Sequence, residues 1–206
     1  MRFFATTVFV LLTVTAAARA ADPPATRTAT RPTTAPVFPA GDARRIVLVC
    51  DISETMRDKV PALVEALLHS IGTYGERVSF NIILFQNGEY WALHYHNLVQ
   101  ANLVGGAKAY QFLHDIRTRH KSDPLPALRY AIRLRPDVIY LVTGADFLHP
   151  RAVASTARLA AATMDIKVNT VAWYNPDRDY QDALRQIARD GGGRFRRAGT
   201  GQEPAE

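Results

Sequence analysis

The chain has one cysteine, Cys50, in 206 residues, so no disulfide can form within it and its stability has to come from packing. Cys50 sits inside an apolar stretch and reads as a small core residue. Outside the first twenty residues there is no apolar run approaching the ~20 residues that a bilayer span requires. There is no recognisable pairing of a nucleophile with a base, which argues against covalent catalysis. There is also no interleaving of aromatic and basic residues of the kind that binds single strands. The formal net charge is +6, but Arg2, Arg19, Arg27 and Arg31 precede the region that can fold, and what remains is only mildly basic. Nucleic acid is therefore not an expected partner.

The hydrophobic share of 48% is that of an ordinary globular protein, and the length suits one domain plus ends. Residues 1–20 carry the marks of a secretory signal peptide: Arg2 at the start, an apolar centre over 8–14, and Ala18-Arg19-Ala20 as a small-x-small cleavage signal. The alternative is an uncut membrane anchor, for which the apolar centre is short. Cleavage after Ala20 leaves an exported chain, periplasmic or extracellular, with no stable membrane span. Residues 21–42 are rich in Pro, Thr and Ala and read as a flexible linker, since they offer too little apolar surface to offset their ordering entropy. A folded domain is expected over 43–198, with a disordered tail at 199–206.

Within that domain, Arg45-Ile46-Val47-Leu48-Val49-Cys50-Asp51 is apolar without alternation, the habit of a parallel strand buried on both faces. It runs into Ile52-Ser53-Glu54-Thr55, so Asp51, Ser53 and Thr55 place three oxygen side chains at alternate positions at the carboxyl end of a central strand. Ligands of open α/β sheets bind at that edge, and oxygen-only groups suit a hard cation such as magnesium. The same residues read equally well as a polar turn that caps the next helix.

The rest alternates. Val60, Leu63, Val64, Leu67, Leu68 and Ile71 fall at helical spacing; strands are expected at 78–85 and 89–95, joined by Gln86-Asn87-Gly88, where Asn-Gly signals a hairpin. Helices follow near 110–116 and over 124–134, then a core strand at 136–143, a helix at 150–164, a strand at 166–173, a helix at 180–190 and a short strand at 194–197. The expectation is an α/β fold, doubly wound: a mostly parallel sheet of about six strands with one antiparallel edge strand and helices on both faces.

Taken together, Asp51-Ile52-Ser53-Glu54-Thr55, the hairpin, the loop Ser122-Asp123-Pro124 and a second apolar strand ending at Thr143 resemble the von Willebrand factor type A (vWA) domain over roughly 44–197. The first motif matches that family's Asp-x-Ser-x-Ser with Thr in the last place. The resemblance implies a Rossmann-like fold and a metal-ion-dependent adhesion site, in which Asp51, Ser53, Thr55 and Ser122 hold Mg2+ or Mn2+ and an acidic side chain of a partner protein completes the coordination. Two departures mark the site as degenerate. The family's third loop reads Thr-Asp-Gly, whereas this chain has Thr143-Gly144-Ala145 with Asp146 two residues on, and His120-Lys121 stands where two glycines are common. Fixed charge on Arg117, Arg119, His120 and Lys121 would oppose a cation. One hypothesis has the Lys121 ammonium replacing the metal and pairing with Asp51; the simpler reading points Lys121 into water.

The leading functional expectation is a non-enzymatic protein-binding module of the cell envelope or exterior. A metal-free scaffolding domain of the same fold is the first alternative. A phosphohydrolase of the haloacid dehalogenase type is the second, disfavoured because its second Asp is Ser53 here. Away from this edge, His94 and His96 lack a third ligand and read as surface histidines. Tyr90, Trp91 and Tyr95 form a candidate interface or simply pack on the sheet, and Arg194, Arg196 and Arg197 read as a solvated sheet edge.

Overall fold

The computed structural model describes residues 35–199 except Asp115, His120, Ala145 and Phe147. The signal peptide expected at 1–20, most of the linker and nearly all of the tail lie outside the described residues.

Strand β1 (Arg45–Asp51) is buried from Ile46 onward and lies at the middle of the sheet. A short 3-10 helix (Glu54–Lys59) leads into α1 (Val60–Thr73), which carries Pro61 in its first turn, where no backbone donor is lost. Strands β2 (Ser79–Gln86) and β3 (Glu89–Ala92) form the expected hairpin, with Asn87 and Gly88 at φ 50° and 76°. Two successive positive φ values are the demand that selects Asn-Gly at such a turn. The edge strand ends at Ala92, earlier than the pattern of aromatic residues to Tyr95 suggests. The buried amide of Asn81 on β2 donates to the carbonyls of His94 (2.6 Å) and Asn97 (2.8 Å) and so turns the chain away from the ladder. It returns as a two-residue strand, β4 (Val99–Gln100), also paired antiparallel to β2.

Helix α2 (Leu103–His114) starts several residues before its apolar pattern does, and α3 (Leu125–Arg133) follows the polar loop. Then come β5 (Val138–Thr143), α4 (Pro150–Met164), β6 (Lys167–Trp173), α5 (Arg178–Asp190) and β7 (Gly192–Ala198). The sheet order is β3-β2-β1-β5-β6-β7, with β2, β1, β5, β6 and β7 parallel and β4 beside β2. The sheet thus has the expected mostly parallel, doubly wound form with one strand beyond the six expected. Its two apolar layers follow from the alternation of side chains along each strand. Val47, Val49, Ile139 and Leu141 pack under α3, α4 and α5, whereas Ile46, Leu48, Cys50 and Val142 pack under α1 and α2.

The packed body begins earlier than the composition of 21–42 suggests. Phe38 is fully buried, edge-on to Tyr140 at 5.6 Å between ring centroids and stacked on Trp173 at 6.4 Å. The Tyr74 hydroxyl donates to the Phe38 carbonyl at 2.7 Å, and that of Tyr140 to the Pro39 carbonyl at 2.6 Å. One aromatic ring in a Pro/Thr/Ala-rich stretch is enough to draw residues 37–40 onto the sheet.

Candidate functional site

Parallel pairing sets the site. β1 and β5 run in a register that places Cys50 opposite Val142, which brings the next residues, Asp51 and Thr143, to the carboxyl edge side by side. Thr143 Oγ1 donates to Asp51 Oδ2 at 2.6 Å, and Ser122 Oγ, from the loop before α3, donates to the same oxygen at 2.7 Å. The backbone N–H of Ser53 donates to Asp51 Oδ1 at 2.8 Å. Two hydroxyls and one backbone N–H, from three chain segments, therefore converge on one carboxyl group that has no exposed surface. Burial pushes the Asp51 carboxyl above its ordinary pKa, and the donors from Thr143, Ser53 and Ser122 pull it only part of the way back.

Ser53 occupies the N-cap of the 3-10 helix, yet its side chain makes no capping bond; Oγ lies 3.2 Å from Thr55 Oγ1. The capping reading of this turn is thus not what its hydroxyl does. Ser53 and Ser122 are buried while Thr55 is exposed, so the oxygen cluster opens to solvent on the Thr55 side. Asp146 is exposed and stands outside this hydrogen-bonded group. Among the described residues there is no cluster of three His, Cys, Asp or Glu side chains suited to a metal. The donor set is hydroxylic with a single carboxylate, which suits a hard cation in oxygen chemistry while giving it one formal negative charge.

The third loop explains the missing carboxylate sterically. A Cβ on Gly144 would stand 2.6 Å from both Met56 Sδ and the Trp173 carbonyl oxygen, and 3.3 Å from Lys59 Nζ. No side chain fits there without movement of backbone. The Gly144 carbonyl instead accepts from Lys59 Nζ at 3.3 Å and Asn175 Nδ2 at 3.2 Å, and the Tyr180 hydroxyl donates to the Thr143 carbonyl. Lys59 is the cation that this loop holds. Lys121, by contrast, is exposed, and the oxygens of Asp51 are taken by Ser53, Ser122 and Thr143. The hypothesis of a Lys121–Asp51 pair is corrected on that geometry: the backbone carbonyl of Lys121 is bound by the Asn87 N–H of the hairpin, and its side chain turns to water.

Sequence reasoning missed Thr143 as a partner of Asp51, although its place at the end of the second apolar strand was a usable signal. Lys59, Asn175 and Tyr180 carried none, since their roles depend on how the 3-10 helix and α5 pack. His94 and His96 are exposed beyond the end of β3, and Tyr90 stacks on Tyr130 at 4.8 Å while Trp91 stays exposed.

No family model and no curated protein matches the chain. Among solved structures it is similar to a von Willebrand factor type A protein from Catenulispora acidiphila, at 17% identity and a TM-score of 0.64, over 76% of this chain and 38% of that one. It is also similar to the VWA domain of SpRpn10, at 10% identity and a TM-score of 0.57, over 76% of this chain and 88% of that one. Proximal thread matrix protein 1 from the mussel byssus matches at 12% identity and a TM-score of 0.50, over 75% of this chain and 41% of that one. The chain therefore spans well under half the length of the first of these. At such identities the likeness speaks to fold, and the fold of this chain is that of a vWA domain.

Proposed function

We propose that the protein is an exported, non-catalytic binding module that takes an acidic side chain of a partner protein at the carboxyl edge of its sheet. Asp51, Ser53, Thr55 and Ser122 would hold Mg2+ or Mn2+ there, with Asp146 near the rim of the third loop. When bound, the ion would supply an under-neutralised positive centre that draws in the partner's carboxylate. The observation that carries the reading is the fully buried carboxyl of Asp51 at the end of the central strand, ringed by hydroxyls from separate loops. Burial disfavours the ionised form of that carboxyl, and a bound cation would favour it again. Export rests on the composition of residues 1–20, and among the described residues no helix is long and apolar enough to cross a membrane.

A metal-free scaffold of the same fold has one observation on its side, the closed position at Gly144 with Lys59 beside it. The two readings separate in a thermal melt of the full chain against rising Mg2+ and Mn2+. An ion present at about a hundred times its dissociation constant adds about 2.7 kcal/mol of stability, a shift of several degrees. A rise that Asp51→Ala abolishes supports the metal-assisted module. A flat midpoint in both ions leaves the scaffold.

A further inference from the structure

At the opposite, amino edge of the sheet a cavity of about 550 Å³ lies between the segment 39–43 and the starts of β5, β6 and β7. Strand register builds its floor. Val138 pairs with Lys167 and Tyr140 with Asn169, so these side chains form adjacent rows, and Arg194 and Arg196 follow on one face of the edge strand β7. The Asn169 side chain accepts the Arg194 N–H at 2.7 Å and so fixes the edge strand against β6. Gly193 permits that approach, since a Cβ there would stand 2.2 Å from the Val168 carbonyl oxygen. Burial raises the Tyr140 phenol above its ordinary pKa, while Arg196, a hydrogen bond with Asn169 and Arg194 pull it part of the way down.

Lys167, Arg194 and Arg196 make no ion pair among the described residues, although all three line one cavity. Three carboxyl groups line it as well. Asp137 is committed to the backbone, its Oδ2 accepting the N–H groups of Arg44 at 2.7 Å and Arg45 at 3.0 Å. Asp42 and Asp165 remain as exposed acceptors in the same lining. Guanidinium groups fork onto oxyanions, and carboxylates with no cation to pair accept hydrogen bonds from hydroxyls. Three cations and three carboxylates balance in this lining, so a ligand that meets both sets has to offer an oxyanion to the cations and hydroxyl donors to Asp42 and Asp165, which neither a bare anion nor a neutral sugar does. We infer that this cavity binds an anionic sugar: a hydroxyl-rich ring whose phosphate or carboxylate group lies against Lys167, Arg194 and Arg196 and whose hydroxyls donate to Asp42 and Asp165. The volume admits a ring of that size with its charged group. This inference is independent of the metal-assisted reading of the other edge.

Calorimetric titration of the full chain at low ionic strength with glucuronate, glucose 6-phosphate, glucose and inorganic phosphate tests it. The two anionic sugars are expected to bind about tenfold or more tightly than either glucose or phosphate, a gap of at least about 1.4 kcal/mol. The double change Arg194→Ala, Arg196→Ala should weaken that binding about tenfold with an unchanged melting temperature, because both side chains are exposed. Asp165→Asn, which keeps a residue type tolerant of the left-handed backbone at φ 56°, should weaken the sugars and spare phosphate. Tetragalacturonate in place of glucuronate separates a polysaccharide from a free acidic sugar, and binding of either supports the site. Failure of both anionic sugars to bind, binding that survives the arginine changes, or phosphate binding as tightly as the sugars would each overturn the inference.

Discussion

Ser122 donates its hydroxyl to the carboxyl of Asp51 at 2.7 Å across 71 positions of chain. That contact ties the loop before α3 to the end of the central strand, and with Thr143 it surrounds a carboxyl that burial makes costly to ionise.

A carboxyl that holds its proton more tightly folded than unfolded loses folding stability as pH rises from its unfolded value, near ~3.9, toward its raised folded value. In metal-free protein, Asp51→Asn should therefore melt above the parent near neutral pH, and the gap should close as pH falls to about 4. Melting curves at both pH values check this; a gap of the same size at each would show that Asp51 titrates normally.

Gly144 and Lys59 should respond in opposite ways. Gly144→Asp forces a Cβ against the Trp173 carbonyl and Met56, and overpacking of this kind costs about 1–3 kcal/mol, or roughly 2–12 °C for a chain of this size. Restoring the family's carboxylate there would thus lower stability rather than repair a site. Lys59→Gln removes a fixed positive charge from the same loop and should raise Mn2+ affinity by roughly tenfold with little change in melting. Titration of both variants with Mn2+ reads the difference; an unchanged affinity in Lys59→Gln would remove the charge from the account.

Phe38→Ala should cost about 3–5 kcal/mol, the usual loss for a fully buried aromatic ring, because it empties the space between Tyr140 and Trp173. Urea denaturation measures it. A loss below about 1 kcal/mol would place the start of the folded body after residue 42, as composition alone suggests.

Cys50 should resist alkylation by iodoacetamide in the native protein and react fully in denaturant. Its side chain is completely buried on the sheet face under α1 and α2, and desolvation, reinforced by the neighbouring Asp51, pushes the thiol well above its ordinary pKa. Native-state labelling at the rate of a free thiol would mean that β1 opens far more readily than a central strand should.

Much of the architecture was legible in the residues. The unalternating run at 45–51 reads as a doubly covered strand because both faces of a central parallel strand meet helices, and Asn87-Gly88 reads as a hairpin because few other pairs take two positive φ values. The extent of α2 was not legible: Leu103 and Val104 are exposed and Gly105 packs its bare backbone against Gln100, so its first turn has no apolar stripe to read. The early end of β3 was hidden for a similar reason, since Asn81 terminates it from the neighbouring strand.

By itself the sequence determined the order of strands and helices, the hairpin and the oxygen-bearing edge at Asp51, Ser53 and Thr55, because those depend on local periodicity and on side-chain type. Only the tertiary structure decided that Ser122 and Thr143 close on Asp51, that Lys59 rather than Lys121 stands by the third loop, and that Gly144 admits no side chain. These depend on distances between segments tens of residues apart, which strand register and helix packing set and which no local pattern encodes.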